Sequence, residues 1–175
     1  MEKTIEINGK HNINALNKLN GVKSKRNCNN KLSESEKKIL FDSKNHINLL
    51  GELYFNTEFT GKNYIKSELL NKINGYKNQD IKKNRYIEKD FITLDNLIEK
   101  LLLSKLRCYY CKKKVKLLFD DVRDNEQWTL DRLDNNICHT NSNTVIADLK
   151  CNIQRRLKDD KQFLNDKQLK VILVE

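Results

Sequence analysis

Three cysteines limit what this chain can fold into more than any other feature. Cys108 and Cys111 are separated by two residues, and Cys151 lies forty positions further on. A Cys-x-x-Cys turn presents two thiolates to one tetrahedral zinc, and a second pair of ligands completes such a site. The fold must therefore bring the chain near residue 150 back to the turn at 108–111. The partner of Cys151 is expected three residues earlier, and that position is Asp148. Three completions are open: Asp148 supplies an oxygen ligand, Cys138 or His139 swings in, or the site holds metal weakly. Residues three apart share a helix face, which favours Asp148. The zinc set read from the sequence is Cys108, Cys111, Asp148 and Cys151.

The cysteine count is five, with Cys28 standing alone. Odd parity fits a disulfide framework poorly. The chain shows no hydrophobic leader and no apolar run of membrane-spanning length. These features predict an intracellular protein, cytoplasmic or nuclear, whose clustered thiols bind metal. A redox dithiol is disfavoured, because Lys112, Lys113, Lys114 and Lys116 follow at once and no thioredoxin-like strand pattern surrounds the pair.

A formal charge of +10 on 175 residues favours a polyanionic partner, nucleic acid first. The C-terminal half alone buries little apolar surface, and a metal staple is the usual remedy at that size. Proline is absent, glycine is scarce and Asn and Lys abound. No single Asn or Lys therefore carries an argument by itself.

The patterning predicts an α+β chain in two parts. Residues 1–90 read as a basic, mainly helical extension, and residues 91–175 as a metal-stapled module. Residues 1–32 are polar and weakly periodic, and are expected to pack loosely. Ser33 and Glu36 form a capping box that opens a helix carrying Ile39, Leu40, Ile47 and Leu50. A second helix is expected over 64–76, with Ile65, Leu69 and Ile73 on one face and Gly75 ending it. The charged residues 77–90 read as a linker or an exposed basic segment, with a solvated helix face or a DNA contact as its use. Thr93 caps a helix whose apolar face is Leu94, Leu97, Ile98, Leu101 and Leu102. Strands are expected at 115–119, 128–133 and 145–146, a polar loop at 134–143, and a helix at 148–157. The tail, with Phe163, Leu164, Leu169 and 171–174, is expected to pack back.

A strand followed by a loop and a helix can bring Asp131 close to Asn152. A carboxylate and an amide oxygen suit magnesium or manganese, and leave positions for water and a phosphate oxygen. The run Trp128-Thr129-Leu130-Asp131-Arg132-Leu133-Asp134-Asn135 is followed by Cys138-His139-Thr140. Then come Asn143-Thr144-Val145-Ile146 and Cys151-Asn152-Ile153-Gln154-Arg155. Together these resemble the HNH (ββα-metal) endonuclease superfamily, in its zinc-knuckle branch with phage junction-resolving endonucleases and HNH proteins of large DNA viruses. The resemblance covers residues 92–157 and leaves 1–90 without a family signal.

The resemblance implies a ββα-metal module with a structural Zn2+ and a catalytic Mg2+ or Mn2+. Asp131 and Asn152 match the two metal-binding positions, and Asn143 the central Asn that braces the loop. The residue after the Asp, usually the His that acts as general base, is Arg132 here. Arginine stays protonated and its fork suits phosphate. A branch with the same Asp-Arg-x-Asp-Asn pattern places a Tyr or His seven residues on, which is His139 here. The implied function is hydrolysis of DNA phosphodiester bonds, with Arg132 clamping phosphate and His139 activating water. A virus-encoded origin, with action inside a host cell, fits the resemblance. Lys112, Lys113, Lys114, Lys116, Arg155 and Arg156 are the candidate DNA contacts, and a homodimer is allowed.

Two other readings compete. A catalytically inactive zinc-knuckle protein that binds nucleic acid keeps the knuckle and the basic face. A basic structural protein makes the motif spacing a coincidence.

Overall fold

The structure, a computed structural model, describes residues 6–21 and 32–169. Cys28 and residues 171–174 lie outside the described residues. The chain is a mixture of helix and strand. In order come α1 (Lys10–Leu19), α2 (Glu34–Leu40), α3 (His46–Tyr54), α4 (Lys62–Lys82), α5 (Leu94–Leu103), β1 (Trp128–Arg132), β2 (Thr144–Asp148), α6 (Leu149–Arg155) and α7 (Asp160–Gln168). The two strands pair antiparallel, with Trp128 opposite Asp148, Leu130 opposite Ile146 and Arg132 opposite Thr144. α6 follows β2 without a break, giving a hairpin with a helix against it. No helix among the described residues is long and apolar enough to cross a membrane.

Side-chain caps fix several helix starts. Ser33 and Glu36 form the reciprocal capping box at α2. Thr93 and Asn96 do the same at α5. The helix expected across 33–50 is two helices, α2 and α3. Asp42 Oδ1 accepts from the Lys44 backbone N–H at 3.0 Å, and Asn45 Nδ2 donates to the Ile39 carbonyl at 3.1 Å. These side chains offer the backbone a turn in place of a helical ladder. In consequence Ile39 is exposed and Leu40 buried. Gly61 begins α4 in the left-handed region, where a Cβ would run into Leu40.

α4 runs straight through Gly75 and on to Lys82, past the expected stop. A mid-helix glycine costs about 1 kcal/mol. Packing of Ile65, Leu69 and Ile73, with the bond from the Leu130 N–H to Tyr76 beyond the glycine, outweighs it. The expected strand at 115–119 does not form. Lys116 makes only an isolated bridge to Gln127, while Val115, Leu117, Leu118 and Phe119 are spent in the core. Residues 10–19, expected to be loosely packed, form α1, with Ile13 and Leu16 exposed.

One apolar cluster takes in Leu50, Ile65 and Leu69 from the helices together with Leu117, Trp128, Leu130 and Ile146 around the hairpin. The core therefore runs without interruption across residue 90. Polar bonds reinforce that join. The Leu130 N–H donates to Tyr76 Oη at 2.9 Å, and Lys72 donates to the Trp128 carbonyl.

His46 is a second polar tie and is fully buried. Its Nδ1 accepts from the Leu117 N–H at 3.1 Å, so its Nε2 carries the proton donated to the Leu40 carbonyl at 3.0 Å. That arrangement requires the neutral ring. Burial lowers its proton affinity below the ordinary 6.5. The unfolded chain therefore binds more protons, and stability falls as pH drops below about 6.5 and levels off beneath the folded-state value. Thermal unfolding measured from pH 8 to pH 5 is expected to show this loss. His46→Ala is expected to flatten its share of the slope and cost about 2 kcal/mol, by orphaning the Leu117 N–H and the Leu40 carbonyl.

Candidate metal centre and adjoining cavity

Cys108, Cys111, Asp148 and Cys151 place one ligand atom each within 4.8 Å of all the others. A tetrahedral zinc with sulfur at ~2.3 Å needs ligand separations of about 3.8 Å, so the four match with small adjustments. The knuckle turn closes when the Lys112 N–H meets the Cys108 carbonyl at 3.0 Å and the Cys108 N–H meets the Lys113 carbonyl at 2.8 Å. The Tyr109 N–H then docks on the Ile146 carbonyl at 2.7 Å, fixing the turn against β2.

Asp148 ends β2 and is the N-cap of α6, so it precedes the helix on which the spacing argument placed it. Its Oδ1 accepts the Cys151 N–H at 2.6 Å, and its Oδ2 accepts the Cys111 thiol at 2.9 Å. One carboxylate thus caps the helix and joins the thiol cluster, which a cysteine at this position would do less well. Cys138 and His139 are not in the cluster.

The thiols divide their protons unequally. The hydrogen bond from Cys151 draws the Cys108 thiol down to about 6, and the same bond pushes Cys151 up. Burial raises Cys111 to about 11. Burial opposes ionisation of Asp148, but hydrogen bonds from Cys111 and the Cys151 backbone hold its carboxyl below its usual range. A thiolate and a carboxylate are thus ready for a cation. Soft sulfur donors of this number suit zinc better than magnesium.

A cavity of about 370 Å3 opens on the α6 side of the hairpin, and Asp131, Arg132, His139, Asn152 and Arg156 all line it. A second hollow of about 480 Å3, between α5 and the knuckle, contains none of these five. Asn152 Nδ2 donates to Thr129 Oγ1 at 3.0 Å and to the Leu130 carbonyl at 3.5 Å, which leaves its Oδ1 as an acceptor. Asn143 braces the loop before β2. Its Oδ1 accepts the Asp134 N–H at 2.9 Å, and its Nδ2 donates to the Asp134 and Cys138 carbonyls at 2.9 and 3.1 Å. That loop carries His139.

Asp131 is already held on both oxygens. Oδ2 accepts from Tyr110 Oη at 2.6 Å and from Arg155 Nε at 2.6 Å, and Oδ1 accepts from Arg155 Nη2 at 3.2 Å. A carboxylate offers about four lone-pair sites, so one remains on Oδ1. Burial, with Asp131 adding to it, pushes the Tyr110 hydroxyl well above its ordinary value, which keeps it a donor.

Arg155 was expected to meet DNA. It is instead 1% exposed and turned inward, donating also to the Lys158 carbonyl at 2.8 Å and to the Arg132 carbonyl. Its spacing on α6 from Asn152 places it on the inner face. Lys116, another candidate contact, is paired with Asp124 at 2.9 Å and Glu126 at 2.8 Å. Lys112, Lys113, Lys114 and Arg156 are exposed.

The site also contains a residue from the segment read as a charged linker. Asp80, near the end of α4, is completely buried. Its Oδ1 pairs with Arg132 Nη1 at 3.0 Å, and its Oδ2 meets His139 Nδ1 at 2.8 Å and the His139 N–H at 2.8 Å. The Tyr76 ring lies 4.7 Å from the imidazole. A signal for this was present: Leu69, Ile73, Tyr76 and Asp80 follow the four-three-four spacing of one helix face.

No family model matches the chain, and neither a curated protein nor a solved structure does.

Proposed function

We propose that this protein is a metal-dependent HNH-type endonuclease that hydrolyses DNA phosphodiester bonds, with a structural zinc on Cys108, Cys111, Asp148 and Cys151. The observation that carries the reading is the meeting of Asp131, Arg132, His139 and Asn152 around one cavity beside the thiol cluster. A zinc held there would staple the knuckle to the start of α6, and so would fix Asn152, the residue after Cys151. Asn152 Oδ1 and Asp131 Oδ1 are hard oxygen donors on one cavity and would hold magnesium or manganese. Such an ion, when bound, stabilises charge on the scissile phosphate and on the leaving 3′ oxygen.

The remaining roles belong to the chain itself. Arg132 spends Nη1 on Asp80 and keeps other donors for a phosphate oxygen. His139 takes the proton of the attacking water. Burial lowers its proton affinity, so the neutral ring prevails near neutral pH. Lys112, Lys113, Lys114 and Arg156 hold flanking phosphates, and a net charge of +10 draws the polyanion in.

One observation favours the second reading, a zinc-knuckle protein that binds nucleic acid without cutting it. The Asp131 charge is already balanced by a buried arginine, which weakens its pull on a second metal. Supercoiled plasmid separates the two. Zinc-loaded protein is expected to nick it only after magnesium or manganese is added, and Asp131→Ala is expected to abolish the nicking. Binding without any nicking supports the second reading.

A further inference from the structure

We infer that Asp80 is a positioning residue for His139, fixing the imidazole in its Nδ1–H form so that Nε2 faces the cavity as the proton acceptor. The inference rests on the nuclease reading for its catalytic meaning and on geometry alone for the dyad. It assigns the helical segment before residue 90 a part in the chemistry.

Donors and acceptors decide the tautomer. Asp80 Oδ2 lies 2.8 Å from His139 Nδ1 and also accepts the His139 backbone N–H at 2.8 Å. A carboxylate only accepts, so the proton in the ring contact belongs to Nδ1. A neutral ring then carries its lone pair on Nε2. Two bonds from one oxygen to the same residue fix both the backbone and the ring. The Tyr76 ring at 4.7 Å limits ring rotation. The other Asp80 oxygen holds Arg132 Nη1 at 3.0 Å, so one carboxylate orients both the phosphate-facing guanidinium and the proton acceptor.

The cost of this arrangement marks it as more than packing. Asp80 is 0% exposed, and a buried carboxylate is retained only when fully hydrogen-bonded and paired. The Asp80 carboxylate bonds Arg132 and His139, the two residues of the cavity that would face the reacting phosphate and water. Charged groups facing the imidazole come from two places: Asp80 and, after it, Arg85 at the α4 end, and Arg132 on β1.

The test reads the tautomer directly. The chain has three histidines, so 15N imidazole resonances of the full-length, zinc-loaded protein are assigned with His139→Ala. At pH 7.5 without DNA, His139 is expected to show a protonated Nδ1 and an unprotonated Nε2. In Asp80→Asn an amide cannot accept from both the ring and the guanidinium through equivalent oxygens. The Nε2–H form is expected to grow, the acid limb of the nicking rate to move to lower pH, and the rate to fall about 100-fold or more. An Nε2–H tautomer in the unmodified protein overturns the inference, and that measurement stands even if Asp80→Asn does not fold. A folded Asp80→Asn that nicks like the unmodified protein overturns it as well. Absence of nicking by the unmodified protein overturns instead the catalytic reading on which the inference depends, whatever the tautomer.

Discussion

Cys151→Ser, or withdrawal of zinc by a strong chelator, is expected to unfold the module built on residues 106–155. Structural zinc contributes an apparent ~10–16 kcal/mol in small zinc modules, as much as the whole stability of an ordinary domain, about 5–15 kcal/mol. The reason lies in how little regular structure this region has of its own. The hairpin has two strands, α6 has seven residues, and residues 115–119 form no strand. Without metal, Cys108 and Asp148 bring negative charge together while burial disfavours it on Cys111. The chain's only tryptophan, Trp128, is 1% exposed and starts β1. Its fluorescence is therefore expected to shift to the red as zinc leaves and to recover when zinc is restored. An unchanged spectrum and melting temperature after complete zinc removal would mean that the cluster is not a staple.

The second large effect concerns Arg155. Arg155→Ala leaves Asp131 as a buried charge with only Tyr110 for support, and breaking such a pair costs about 3–5 kcal/mol. The variant also orphans the Lys158 carbonyl. Urea denaturation is expected to report a loss in this range. DNA affinity of the folded variant is expected to keep its salt dependence, whereas Arg156→Ala, an exposed cation, is expected to lower the salt slope by about one phosphate contact. Stability within 0.5 kcal/mol of the unmodified protein, on the order of a surface substitution, would instead place Arg155 at the surface.

The legible part of the molecule was the part written in short-range chemistry. The Ser33 and Thr93 caps, the apolar face of α5 and the two strands of the hairpin follow from local spacing, and the structure has them. The grouping of Cys108, Cys111, Asp148 and Cys151 was legible because thiol spacing leaves few alternatives. What escaped depended on partners distant in sequence. Asp80 looked like one charge among many in a lysine-rich stretch, and only contact with residues 132 and 139 explains it. Arg155 looked like a basic surface residue, and its inward turn depends on an acidic partner 24 positions away. The strand expected at 115–119 had the right composition, but its pairing stops at a single bridge from Lys116 to Gln127, and Val115, Leu117, Leu118 and Phe119 all turn into the core. Asp148 was chosen for helical spacing, whereas its position comes from capping α6.

Asn152→Ala separates cutting from binding, because it removes a cavity oxygen donor that carries no ion pair and leaves the basic surface untouched. Binding and nicking of supercoiled plasmid are measured on the same zinc-loaded samples with magnesium present. DNA binding is expected within about twofold of the unmodified protein and nicking slower by about 100-fold or more, the scale set by losing metal-assisted charge stabilisation. Equal nicking by both proteins, or binding by both with nicking by neither, would contradict that expectation.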